Sequence, residues 1–125
     1  DEQLQSNGYA LVDTDPDMLL EWSASTHDKA LTDKLADLAD ARKRQVAIQN
    51  ELASLDSEIE KTVNEQERIR RNLGAVPDNS DLKKRYLKAL SDSEDQIAAM
   101  NERRATVQAE SDRRGDHVTE IIRTF

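Results

Sequence analysis

The residues of this 125-residue chain that could hold a metal ion or move a proton are two histidines, His27 and His117, and carboxylates spread along its length. A metal site needs several such groups converging, with further hydrogen bonds to orient them. An antiparallel pairing of helices brings His117 and Asp116 to the neighbourhood of Asp37, while His27 falls roughly ten residues, about 15 Å, beyond them. The two histidines therefore cannot share an ion. A solvated helix face is the simpler reading of His117, and no metal is expected. Asp92, Glu94 and Asp95 are close in sequence but have no cleft to shift their pKa values, and no serine, histidine and acid can converge on a pair of helices. Without a glycine-rich phosphate loop either, the expectation is a non-enzyme with no catalytic residue, no cofactor and no small-molecule substrate. Arg114-Gly115-Asp116 spells an adhesion-type tripeptide. Such a signal works from an exposed, extended loop, whereas here it falls inside a helical repeat.

The densest chemistry lies between residues 68 and 88, where seven bases (Arg68, Arg70, Arg71, Lys83, Lys84, Arg85, Lys88) stand against two acids, Asp78 and Asp81. Elsewhere opposite charges face each other: Lys61 falls near Glu94 and Asp95, and Glu51 near Arg103 and Arg104. Around the turn, Arg70 and Arg71 fall beside Lys83, Lys84 and Arg85, and like charges across an interface are mildly destabilising. Flexible exposed side chains splaying apart in water would account for this at little cost. The functional reading is a tip that meets an acidic surface: residues 1–27 of another copy, a phosphate-rich polymer or an anionic membrane. A protein partner or self-association is expected ahead of nucleic acid. The alternative is an accessory factor that acts on an enzyme through Asp78 and Asp81 at the tip.

The elements that must position these groups are helical. Leu, Ile, Val and Phe make up about a fifth of the residues, mean hydropathy is -0.85 and 35 % of residues are charged. That is near the level at which a chain stops burying enough apolar area for a compact globule. Long helices joined along a narrow seam fit such a composition. Leu31, Leu35, Leu38, Ile48, Leu52, Leu55, Ile59, Ile69 and Leu73 mark one seam. Leu82, Tyr86, Leu90, Ser93, Ile97, Met100, Arg104, Val107, Ser111, Arg114, Val118, Ile121 and Phe125 mark a second, in steps of four and three that alternate from Tyr86 on. Facing residue numbers add to a nearly constant sum of about 155, as in an antiparallel hairpin, and this places Thr62 opposite Ser93 and Gln45 opposite Ser111.

The fold expected is all-α: a long antiparallel two-helix coiled-coil hairpin over 28–125, with a helix over 28–73, a turn over 74–80 and a helix over 81–124. Each long helix would run about 65 to 70 Å, making a rod. Gly74 suits a left-handed C-terminal cap, Pro77 forbids continuation, and Ser80 or Asp78 can cap the second helix. Gly115 either admits the short helix containing Trp22 or marks a break in the last turns. Residues 1–27 read as a linker with a short strand over 8–13 and a short helix over 16–22, opened by Thr14-Asp15-Pro16 and broken by Ser23 to Thr26. A lone strand needs a mate, so the linker is expected to lead from a missing β-domain. Residues 1–27 also carry six acids and no Lys or Arg, which leaves the remainder of this net -8 chain nearly neutral.

Glu65-Gln66-Glu67-Arg68-Ile69-Arg70-Arg71-Asn72-Leu73, then Asp81-Leu82-Lys83-Lys84-Arg85-Tyr86-Leu87-Lys88-Ala89-Leu90 and Glu94-Asp95-Gln96-Ile97, resemble the helical hairpin near the C-terminus of bacterial proteins of the domain of unknown function 4139 family. Some of its members are labelled mucoidy inhibitor A. Gly8 to Trp22 likewise resembles the segment by which that family leaves its β-domain. The resemblance implies a larger bacterial parent with helical and β-rich parts, and no established reaction. A start at Asp1 agrees with a fragment or processed product. The expectation is a structural or interaction module, a coiled-coil arm, in either the cytoplasm or the periplasm. No apolar stretch approaches the roughly 18 to 20 residues of a membrane span.

Overall fold

The computed structural model describes residues 13–25 and 28–125. It contains three helices among them, α1 (Pro16–Ser25), α2 (Lys29–Leu73) and α3 (Asp81–Arg123), and no strand. The expected strand over 8–13 falls outside the described residues except for Asp13, which lies in a turn; the described chain is all-helical. The caps explain where each helix starts. The Asp15 carboxylate accepts the Asp17 N–H at 2.8 Å with Pro16 at the first helical position. Asp28 accepts from Ala30 and Leu31 N–H at 3.0 and 3.3 Å, and Ser80 Oγ accepts from Lys83 N–H at 3.1 Å.

Three local expectations need correction. First, α1 does not end at Trp22 but continues to Ser25. Serine breaks helices when its hydroxyl competes for neighbouring backbone. Ser23 Oγ instead donates to the Thr32 carbonyl on α2 at 2.9 Å, and Thr32 Oγ1 returns a bond to the Ser23 carbonyl. Second, Gly74 is not left-handed: α2 closes through tight bonds from Ala75 and Val76 N–H to the Asn72 and Leu73 carbonyls. The positive φ of the connection belongs to Asn79, at 64°. Third, α3 runs unbroken through Gly115, where an added Cβ would meet Gln45 Nε2 on α2 rather than α1.

The chain divides into two units, one comprising residues up to Asn50 with Ala109–Phe125, the other Glu51–Gln108. In the first, α1 is a third layer over the two long helices. Leu19, Leu35, Leu38, Ala39, Ala41 and Val118 form a buried cluster, with Ile121, Ile122 and Phe125 against it. Lys34 Nζ donates to the Thr124 carbonyl and stands over the Phe125 ring, 5.9 Å from its centroid. In the second unit only α2 and α3 pack together. Two helices cover each other along one stripe, so Leu52, Leu55, Ile59, Tyr86, Leu90, Ile97 and Met100 stay half-buried. The outermost seam members Leu31 and Leu82 remain 38 % and 47 % exposed.

Candidate functional site

Within the second unit, the last turns of α2, residues 74–80 and the first turns of α3 bring together the seven bases and two acids singled out by composition. Asn79 can hold its positive φ because a short polar side chain tolerates the left-handed region. Its conformation aims Ser80 so that Oγ both donates to the Pro77 carbonyl, at 2.8 Å, and caps α3. The connection is therefore held by specific bonds at its C-terminal side.

Most of the bases are not crowded against one another, because each has an acid within reach. Arg68 pairs with Glu65, and Arg70 with Glu67 at 2.9 Å and Glu94 at 3.4 Å. Lys83 pairs with Asp78, and Lys88 with Asp92 at 3.0 Å. A count bounded at residues 68 and 88 omits Glu65, Glu67 and Asp92, each one helical turn from a base inside that window, and Glu94, which reaches Arg70 across the helices. The first three were readable from i,i+3 and i,i+4 spacing. Hydrogen bonding to Arg68 holds the Glu65 carboxyl below its usual range, and hydrogen bonding to Lys83 does the same for Asp78. Asp78 is thus engaged rather than free, while Asp81 stands in the first turn of α3, where its charge complements the helix dipole.

Three bases differ. Arg71, Lys84 and Arg85 are exposed, and among the described residues their side chains have no acid or hydrogen-bond partner. On α3, Leu82 and Leu87 are 47 % and 48 % exposed, and each stands three residues from one of these cations: Leu82 from Arg85 and Leu87 from Lys84. The site is therefore narrower than seven residues: three available cations, two of them each beside an uncovered leucine.

Beneath it the seam carries a polar layer. Gln66 is 4 % exposed, and its side-chain amide donates to Ser93 Oγ at 2.9 Å and to Glu94 at 3.1 Å; Ser93 Oγ in turn donates to the Leu90 carbonyl. Ser93 was expected opposite Thr62. Its bonded partner is one turn further along α2, because side chains on both helices tilt toward their own N-termini and meet about a turn beyond the residue level with them. The same tilt brings Gln45 Nε2 to within 3.7 Å of where a Cβ on Gly115 would lie. Thr62, Ile69, Ala89 and Ser93 line an open groove beside this layer. Across the helices farther from the turn, Arg103 pairs with Glu51 as expected, but Arg104 pairs with Asp56. Lys61 has no ion pair with Glu94 or Asp95.

Among the described residues no group of three or more His, Cys, Asp or Glu side chains could hold a metal ion. His117 and Asp116 are exposed on α3, and His27 lies outside the described residues. No described helix is long and apolar enough to cross a membrane. In comparisons, no protein-family model, curated protein or solved structure matches the chain.

Proposed function

We propose that the chain is a non-catalytic protein-interaction module, the helical hairpin of a larger protein, and that the residues flanking the α2–α3 turn contact an acidic partner surface. The observation that supports this reading is the trio Arg71, Lys84 and Arg85, exposed and without partners among the described residues, beside Leu82 and Leu87. A base already joined to an acid must surrender it to meet a partner, whereas a free one offers its whole charge. Charge complementarity of this kind orients an encounter, and the leucines add apolar area beside the cations. The engagement of Asp78 by Lys83 favours a role through cations over one in which Asp78 and Asp81 act on an enzyme.

The test is titration of a fluorescein-labelled hexaglutamate peptide. The wild-type chain binds it at low salt and loses it steeply toward physiological ionic strength, where charges are screened over about 8 Å. Arg71→Glu/Lys84→Glu/Arg85→Glu abolishes binding. Lys43→Glu/Lys61→Glu/Arg123→Glu carries the same change in net charge at exposed bases elsewhere, and retains it. Equal loss in both variants would refute a localised site.

A further inference from the structure

We infer that the acidic surface met by the turn is helix α1 of a second copy of this chain, so that the protein self-associates through a contact between two unlike patches. The inference rests on the turn being an interaction surface and names the partner.

The side chains of α1 fall in distinct rows. Residues four apart share a helix face, so Leu19 and Ser23 form the buried row that fixes α1 to its own unit. The adjoining row is Met18 and Trp22, which are 48 % and 43 % exposed. The next is Asp17 and Glu21, with Asp13 in the turn before the helix, all exposed and without an ion pair among the described residues. Residues 13–25 contain four acids and no Lys or Arg. An apolar row edged by an acidic one complements the cations near the turn, where Leu82 lies beside Arg85 and Leu87 beside Lys84. Both patches are exposed, and none of their charged side chains is paired among the described residues. They also stand out against the overall charge of -8, which by itself keeps copies apart, so a productive approach must set the basic patch on the acidic one.

Each patch comprises about five side chains, against the roughly 20 to 30 residues a side of a stable interface, so the association is weak and concentration-dependent. Because the two patches differ, two copies can exchange the contact reciprocally and make it twice, or pass it on from copy to copy.

Trp22, the sole tryptophan, reports on the contact from the α1 side. The chain is followed by sedimentation velocity and by Trp22 emission and acrylamide quenching from micromolar to about millimolar concentration, a range chosen for small interfaces. Association is expected to rise with concentration, with a blue shift and reduced quenching of Trp22. Arg71→Glu/Lys84→Glu/Arg85→Glu, which leaves α1 untouched, is expected to raise the half-association concentration at least about tenfold, consistent with loss of several exposed charge pairs. Adding Asp13→Lys, Asp17→Asn and Glu21→Lys to that variant restores association; Asp17 becomes Asn because a lysine in the first helical turn would oppose the dipole. A chain that stays monomeric, an association that leaves Trp22 emission unmoved, or a charge-exchanged variant that fails to reassociate overturns the proposal. If the wild-type chain stays monomeric yet binds hexaglutamate through the turn, the second copy is the wrong partner and the turn remains an interaction surface. If neither occurs, the reading of the turn falls with it.

Discussion

Replacing Gly115 by alanine is expected to stabilise the chain by about 1 kcal/mol. Glycine inside a helix loses more backbone freedom on folding than any other residue, which makes it roughly 0.8 to 1.0 kcal/mol poorer than alanine. Gly115 lies well inside α3 and does not have a positive φ, so alanine adopts its conformation without strain. The space is open as well: an added Cβ meets Gln45 Nε2 at 3.7 Å, an ordinary van der Waals distance. The carbonyl of residue 115 keeps its bond from Thr119 Oγ1. Urea unfolding followed by helical ellipticity should show a higher midpoint at unchanged slope, by about 0.3 to 1 M for slopes of 1 to 3 kcal/mol per M. Gly115→Val supplies the control. Its branched carbons press on Gln45, which is nearly buried and bonded to Arg42, and valine is a weaker helix former, so most of the gain disappears. A midpoint that falls in Gly115→Ala would mean that α3 is not regular helix there. Equal gains for alanine and valine would mean that Gln45 does not face it.

The connection gives a second contrast: Asn79→Val costs about 1 to 2 kcal/mol because of the positive φ, Asn79→Gly is tolerated, and Gly74→Ala stays within about 0.5 kcal/mol in the same urea assay. Gln66→Leu is expected to be neutral or slightly stabilising, since Ser93 keeps the Leu90 carbonyl and Glu94 keeps Arg70; a loss of 2 kcal/mol or more, on the scale of a buried unpaired group, would show the amide to be indispensable. Tyr86→Ala removes a half-buried seam aromatic and costs about 1 to 3 kcal/mol, whereas Lys84→Glu breaks no ion pair and changes stability by at most about 0.5 kcal/mol; comparable losses would reveal an ion pair at Lys84. Asp56, Glu65, Asp78 and Glu110 all have carboxyl pKa values lowered by bonds to Arg104, Arg68, Lys83 and Arg113. Lowered folded values mean that their contribution is complete above the unfolded carboxylate range and fades as pH falls from about 5 through the folded values, so thermal midpoints should decline on acidification and not between pH 6 and 8.

Much of the fold was written locally. The four-three spacing of apolar residues and the cap at Ser80 place the long helices, expected over 28–73 and 81–124 and found over Lys29–Leu73 and Asp81–Arg123. Pro16 behind Asp15 likewise opens α1. These features depend on residues within a turn or two of one another, and backbone geometry at that range follows from residue type. What the tertiary structure decided lies beyond that range. Ser23 continues a helix because Thr32 takes its hydroxyl, and Asn79 rather than Gly74 bends left-handed because α2 already ends in tight bonds. The contraction of the seven-base patch to Arg71, Lys84 and Arg85 is partly local, since Glu65, Glu67, Asp78 and Asp92 lie near the other four bases in sequence, and partly tertiary, since Glu94 reaches Arg70 across the helices. A long side chain spans about a helical turn along its own helix and across to the next, and several arrangements satisfy the same spacing. Each side chain tilts toward the N-terminus of its own helix, and only the packing of the two helices decides which acids meet which bases across them and so which charges remain to meet a partner.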